Sequence, residues 1–263
     1  MTEAQAIGEL VKAVGIPSPS NSVQFLRDFL AAFQGINYEN VTKILSFSKH
    51  GRLLQTPEIL VPDLLKFGTG GTCFSLTYLA CKTLEHFGLN AHLVMGDRSY
   101  GKNTHCALVC EAESEDWLLD IGFLVFDPIP MKRHSTTQQK TALNTFELAP
   151  MAENRCEAYT TFRGLRKHRF TINTEPITEE AFRIHWEKSF DFDMMKYPLI
   201  TRIKDGRQHY LQGLSYQIRT EAETEKRQLC VEEAPELVNE VFGIDPELTS
   251  RAYEIAGGAS ELK

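Results

Sequence analysis

Apolar residues recur along this chain with two different periods, and the change from one to the other near residue 91 divides it. Before that point the period is helical. Thr2-x-x-Gln5 predicts a capping box ahead of Ala6, Ile7, Leu10 and Val11. Pro17–Ser22 ends that helix and starts another, in which Leu26, Phe29, Leu30 and Phe33 make one apolar stripe. Thr56-Pro57-Glu58 supplies a cap, a first-position proline and an acid for a short helix through Leu64 and Leu65. Leu76, Leu79, Ala80, Thr83, Leu84 and Phe87 then predict a longer helix, with Gly88 where such a helix stops. Carried backwards, that stripe puts Cys73 on the buried face of the first turn, just after Gly70-Gly71-Thr72.

From residue 91 the period is two. Ala91–Met95, His105–Cys110, Trp117–Gly122, Phe146–Leu148, Tyr159–Phe162 and Arg169–Ile172 read as strands, and Thr136–Thr141 as a polar loop. After Pro176 the pattern mixes. Thr178 caps a helix through Trp186, and Leu199–Lys204 and Gln208–Gln212 flank Asp205-Gly206, the signature of a type I′ hairpin. Leu214–Ile218 and Gln228–Val231 read as strands. Glu236–Phe242 reads as a helix before Gly243, and Pro246–Ile255 as the last helix before Gly257-Gly258. The fold class is α+β, in three parts: 1–90, helical; 91–180, strands; and 181–263, mixed α/β.

Composition narrows the function. The 263 residues carry 28 Lys+Arg against 35 Asp+Glu, a net charge of −7, which argues against a partner bound through nucleic-acid phosphates. No apolar run approaches the ~20 residues that span a bilayer, and the acidic start MTEAQAIGEL lacks a signal peptide's apolar core, so a cytoplasmic protein without membrane partners is expected. The six cysteines, Cys73, Cys81, Cys106, Cys110, Cys156 and Cys230, form no C-x-x-C pair and read as reduced thiols rather than a metal site.

Three of the residues that bear chemistry point towards one another. His105 and Asp120 lie at the start and end of consecutive strands. If their connecting turn holds an even number of residues, opposite positions have an odd sum and the two share a face, directly across or one diagonal apart. Asp120 can then orient the imidazole towards Cys73, whose helix start favours a thiolate. Together they would form a nucleophile, a base and an orienting carboxylate. The plainer readings stand beside this: Cys73 as a buried apolar residue, His105 as a satisfied sheet histidine, Asp120 as a turn cap.

Gly70-Gly71-Thr72-Cys73-Phe74, His105 with Leu108 and Val109, and Trp117–Phe123 ahead of Pro128 resemble the arylamine N-acetyltransferases, whose pattern is R-G-G-x-C-F-E, H-x-x-L-x-V and D-V-G-F-G. Ile36–Val41 is similar to that family's I-P-F-E-N-L, Pro198–Gly206 to its P-L-F-T-R-L-x-D-G, and Phe242-Gly243-Ile244 to its F-G-I. The resemblance implies an N-terminal helical bundle, a central β-barrel and a C-terminal α/β lid. It implies ping-pong transfer of an acetyl group from acetyl-CoA, with no metal, to an aromatic amine, hydrazine or N-hydroxyarylamine. By position Cys73 would be the acyl acceptor, His105 the base and Asp120 the orienter. Gly71, Gly122 and Phe123 would contact substrate, with Phe123 lining the acceptor pocket.

The chain departs from the family pattern at Asn37, Thr69, Ser75, Thr77 and Leu124. Thr69 stands where the motif has arginine, which predicts a Glu39 without its charged partner. Leu124 adds a side chain where the motif has glycine. An amide synthase, a transglutaminase-like cysteine hydrolase and a non-enzymatic module on the same scaffold are the alternatives. The cluster Arg163, Arg166, Lys167, His168 and Arg169 reads as a solvated hairpin face, with the phosphates of CoA as the other reading. Lys102-Asn103 reads as a solvated loop.

Overall fold

The structure, a computed structural model, describes residues 1–151 and 154–260. Five helices form the first part: α1 (Glu3–Val14), α2 (Val23–Phe33), α3 (Val41–His50), α4 (Pro57–Phe67) and α5 (Cys73–His86). The capping box at Thr2 is formed in both directions, Gln5 N–H to Thr2 Oγ1 at 3.3 Å and Thr2 N–H to Gln5 Oε1 at 2.9 Å. Leu26, Phe29, Leu30 and Phe33 are all buried, as their spacing requires, and pack against Leu76, Leu79 and Leu84 of α5. α5 is buried on nearly every side, because helices cover one flank and a sheet the other.

The sheet over α5 has eight antiparallel strands and is nearly closed into a barrel. They are β2 (Ala91–Arg98), β3 (Gly101–Ala112), β4 (Glu115–Asp120), β5 (Val125–Pro130), β6 (Thr137–Lys140), β7 (Thr145–Pro150), β8 (Arg155–Phe162) and β9 (Leu165–Asn173), in the order β5-β4-β3-β2-β9-β8-β7-β6. The period of two sorts β3 cleanly: Ala107 and Val109 enter the barrel interior with Leu118, Phe146 and Phe170, while Leu108 and Cys110 face the helices.

A second antiparallel sheet runs β1-β10-β11-β12-β13, from β10 (Leu199–Lys204), β11 (Arg207–Gln212), β12 (Ser215–Arg219) and β13 (Thr224–Gln228). Its edge strand β1 (Tyr38–Glu39) comes from the helical part of the chain, so the first and last parts share a sheet. Around it lie α6 (Glu179–Lys188), α7 (Ala234–Phe242) and α8 (Pro246–Ser260). Thr178 caps α6 through its side chain, and Asp205 and Gly206 both take the left-handed conformation that a type I′ turn needs. No helix among the described residues is long and apolar enough to cross a membrane.

Four sequence readings change. Residues 137–140 form an edge strand, β6, rather than a loop; none of its side chains is buried, so no hydrophobic period marks it. The last strand is Thr224–Gln228, not Gln228–Val231: the ladder is charged and exposed, while buried Leu229 lies beyond its end. α8 continues through Gly257-Gly258, a helical penalty of about 1 kcal/mol per glycine that does not end it. Lys102 and Asn103 lie within β3, not in a loop, with Asn103 Nδ2 3.1 Å from His185 Nε2.

Asn40 fastens these parts together. Its amide donates to the carbonyls of Met194 and Tyr197, and its oxygen accepts the Leu199 N–H at 2.7 Å. Asn40→Ala should leave three partly buried backbone groups unmet. We expect a loss of about 2–4 kcal/mol in urea-unfolding free energy; a loss below about 0.5 kcal/mol would show that this junction is not held by its polar contacts.

Candidate active site

Cys73 is the first residue of α5, and its place is set by the turn before it. Gly71 forms a parallel bridge with Tyr38, with Glu39 N–H on the Gly71 carbonyl at 2.9 Å and Gly71 N–H on the Asn37 carbonyl at 3.2 Å. A Cβ on Gly70 would stand 1.8 Å from the Asn37 carbonyl oxygen, and one on Gly71 2.2 Å from Ser75 Oγ. Both glycines are therefore required by the chain's own packing. Gly71 faces Ser75 and Leu60, and it lines neither cavity at Cys73.

His105 and Asp120 come together by register. β3 and β4 are joined by the two-residue turn Glu113-Ser114, and Leu108 pairs with Leu119 and Val109 with Leu118. The same sum continued places Asp120 opposite Ala107, one diagonal from His105. The two are buried and joined, His105 Nε2 to Asp120 Oδ2 at 2.8 Å. Asp120 Oδ1 accepts the Phe123 N–H at 2.9 Å, capping the 3-10 turn Ile121–Phe123. Turn cap and imidazole partner are thus one residue.

The electrostatics favour a charged Cys73–His105 pair. Burial opposes the imidazolium, but the charge and hydrogen bond of Asp120, with the Cys73 sulfur behind them, raise the His105 pKa to about 9. The Cys73 thiol is held well below its ordinary range, chiefly by a hydrogen bond from the Cys106 thiol. Burial opposes that shift, and the charges of His105 and Lys43 add to it. Cys106 is pushed the other way by burial and by the Cys73 charge beside it. Of the six thiols, Cys73 alone is shifted towards the thiolate.

Gly122 closes the floor. A Cβ there would lie 2.5 Å from Cys73 Cβ and 3.5 Å from His105 Cε1, so only glycine lets the loop after Asp120 rest on the thiol and imidazole together. Phe123 follows, edge-on to His105 with ring centroids 6.1 Å apart. Leu124 comes next with φ +59°, a left-handed backbone on a branched side chain. These three residues line a cleft of about 1030 Å³, which leads down to a pocket of about 30 Å³ bounded by Cys73, His105, Gly122, Tyr38 and Lys43.

Among the described residues Glu39 has no ion-pair partner, as the loss of the motif arginine predicts. It is fully buried and accepts from Thr42 Oγ1 at 2.7 Å, Thr42 N–H at 3.0 Å and Gly70 N–H at 3.1 Å, while burial raises its pKa. Thr69 is buried in the arginine's place, its hydroxyl without a hydrogen-bond partner among the described residues. Asn37, where the motif has proline, donates to the carbonyls of Gly68 and Phe242, both at 2.8 Å.

Some site residues escaped the sequence reading. Lys43 is 1% exposed, with Nζ 2.5 Å from Ser189 Oγ and 4.4 Å above the Phe190 ring, and burial lowers its pKa to about 8. Tyr38 packs beside Cys73, with its phenol pKa raised by burial and by that sulfur. Tyr38 lies within the Ile36–Val41 motif, Lys43 lies two residues beyond it and Cys106 adjoins His105, so closeness to a motif was the available signal. The basic cluster divides. Arg163 and Arg169 line the cleft, whereas Arg166 pairs with Glu147 on the outside. Among the described residues no group of His, Cys, Asp and Glu is arranged to hold a metal ion.

The sequence profile of the N-acetyltransferase family matches residues 22–251. No curated protein sequence matches the chain. Among solved structures, the fold is similar to the Nocardia farcinica arylamine N-acetyltransferase at 20% identity, covering 94% of this chain and 92% of that one with a TM-score of 0.79. The Salmonella typhimurium arylamine N-acetyltransferase matches at 18% identity, 97% and 99% coverage and a TM-score of 0.79. The Mycobacterium marinum arylamine N-acetyltransferase, solved in complex with CoA, matches at 17% identity, 94% and 98% coverage and a TM-score of 0.79.

Removing the charge of Asp120 tests the coupling within the site. Without that anion the buried imidazolium is disfavoured, so the His105 pKa falls; without the imidazolium the Cys73 thiolate loses a stabiliser, so the Cys73 pKa rises. The pH midpoint for alkylation of Cys73 by iodoacetamide, mapped by mass spectrometry, should therefore move upwards in Asp120→Asn. An unchanged midpoint would mean that Asp120 does not act on the thiol through His105.

Proposed function

The chain belongs to the arylamine N-acetyltransferase family, and we propose that it moves an acetyl group from acetyl-CoA to an aromatic acceptor through a thioester on Cys73. The observation that carries this reading is the buried Asp120–His105 pair beside an acidified thiol at the foot of a cleft of about 1030 Å³. Family membership makes the protein an acetyltransferase; the ping-pong route, the residue roles and the acceptors are the proposal.

In the first half-reaction the Cys73 thiolate adds to the thioester carbon of acetyl-CoA. The carbon–sulfur bond to CoA breaks, and the departing thiolate takes a proton from the His105 imidazolium. In the second half-reaction an amine adds to the Cys73 thioester, His105 takes a proton from the nitrogen, and the Cys73 thiolate leaves beside a re-formed imidazolium. Asp120 holds the ring through Nε2, leaving Nδ1 for both transfers. The first-turn amides and dipole of α5 favour the oxyanion of each tetrahedral intermediate.

Donor and acceptor would use the cleft in turn. The Mycobacterium marinum relative was solved with CoA, and exposed Arg163 and Lys226 on this cleft suit the phosphates of such a donor. The small pocket at Cys73, about 30 Å³, suits a short acyl chain rather than a long one. An arylamine, arylhydrazine or N-hydroxyarylamine would lie against Phe123 and receive the acetyl on nitrogen or oxygen. We also propose that residues 1–90, 91–180 and 181–263 bring, in turn, the nucleophile, the base with its orienter, and the cover, the first and last joined through the shared sheet.

Incubation with acetyl-CoA should add one acetyl group to Cys73, read by intact mass and peptide mapping, and Cys73→Ser should not acquire it. Absence of acetyl on the wild-type thiol would defeat the proposal. Acylation without transfer to any amine would instead favour an amide synthase or a hydrolase on the same three residues.

Leu124 sets the second expectation. Its side chain lines the cleft beside Phe123 and its left-handed backbone favours glycine. Leu124→Gly should raise transfer to a bulky arylamine several-fold over transfer to a small hydrazine, because only the larger acceptor must pass the isobutyl group. An unchanged ratio would remove Leu124 as the steric filter.

A further inference from the structure

Tyr38 stands where the motif I-P-F-E-N-L has phenylalanine, so this chain carries a hydroxyl that the motif lacks. Its backbone is pinned on both edges. On one it faces Gly71 across the parallel bridge, between the Glu39 N–H bond to the Gly71 carbonyl and the Gly71 N–H bond to the Asn37 carbonyl; on the other it pairs with Thr201 of β10. Strand alternation then turns Glu39 inwards, where it is fully buried, and leaves Tyr38 partly exposed to the cleft. Neither Gly70 nor Gly71 has room for a Cβ, so β1 can lie this close to the start of α5. The glycine pair thereby brings a phenol to Cys73.

Tyr38 lines both the cleft and the small pocket at Cys73, so its side chain lies at their junction. The Cys73 amide N–H donates to the phenol oxygen, and the phenol proton faces the Cys73 sulfur. Burial and the charge of that sulfur hold the phenol pKa well above its ordinary value, so the group stays a donor. Thr72 lines the same pocket, 1% exposed and with its hydroxyl unpartnered among the described residues. The pocket therefore holds polar capacity that the protein alone leaves unused.

Acyl transfer moves negative charge from the sulfur to an oxygen. When the Cys73 thiolate adds to a thioester carbon, a sulfur lone pair forms the new bond and the carbonyl π pair moves onto oxygen. The sulfur then needs no donor, whereas an oxygen beside the Cys73 amide does. We propose that the Tyr38 hydroxyl is that donor, a further catalytic group that turns from the Cys73 sulfur to the carbonyl oxygen and holds the tetrahedral oxyanion together with the Cys73 N–H. The phenol keeps its proton throughout. When the bond to CoA breaks, the oxygen pair returns to the carbonyl; when Cys73 itself leaves in the second half-reaction, the hydroxyl turns back to its thiolate. This rests on the reading of Cys73 as the acyl acceptor.

Two reactions of the same sulfur isolate the role. Acylation by 4-nitrophenyl acetate passes through an oxyanion, whereas alkylation by iodoacetamide is a direct displacement without one. Tyr38→Phe installs the motif's own residue and removes only the oxygen. Both proteins are compared above their alkylation midpoints, where each holds Cys73 as the thiolate. First-turnover release of 4-nitrophenolate should fall at least about ten-fold in Tyr38→Phe, while alkylation of Cys73 should not fall. Equal falls in both rates would place Tyr38 on the thiolate or its access, and an unchanged acylation rate would remove it from the oxyanion; either result overturns the proposal. Tyr38→3-fluorotyrosine keeps a hydroxyl of stronger donor character in nearly the same shape. Its ratio of acylation to alkylation should match or exceed the wild type, and a ten-fold fall there would make the effect steric and overturn the assignment. If wild-type Cys73 is acylated by 4-nitrophenyl acetate and not by acetyl-CoA, the acetyl-CoA reading fails and these ratios still decide the role of Tyr38. Acylation by neither donor would defeat both.

Discussion

The Asp120 carboxylate has no access to water, and both of its oxygens are committed to different tasks. Oδ2 holds the His105 imidazole, and Oδ1 holds the amide of Phe123 in the 3-10 turn. A buried carboxylate is tolerated only when its hydrogen bonds are met, so the strand register before it and the turn after it are constrained together. The two-residue turn at Glu113-Ser114 fixes which face Asp120 shares with His105. The turn that Asp120 caps lowers Gly122 onto Cys73, where no side chain fits, and sets Phe123 against the imidazole. One side chain therefore couples the electrostatics of the thiol to the shape of the cleft floor.

Charge around that site is held by burial and hydrogen bonding. Thr69 leaves Glu39 buried with only neutral donors, and burial raises the pKa of that carboxyl accordingly. A buried cation stands at Lys43, in the helix that follows, where it faces the pocket of Cys73 and rests on Ser189 and the Phe190 ring. Its charge adds to those influences holding Cys73 as a thiolate. Cys106 contributes through its neutral thiol, a donor that becomes more useful as burial keeps it protonated. Positive charge near the thiol is thus supplied by Lys43 and His105, while Glu39 is met by neutral donors.

Legibility in the sequence followed the physics of each element. The helical stripes of α2 and α5 were readable because one face of each is buried against the other. The sharing of a face by His105 and Asp120 was readable because strand parity depends only on turn length. The Asp205-Gly206 hairpin was readable because few residues take its backbone angles. β6 and β13 were not, since edge strands with exposed charged or amide side chains carry no hydrophobic period. Gly71 was expected to contact substrate, yet the space beside it belongs to Ser75 and Leu60, and that beside Gly70 to the Asn37 backbone.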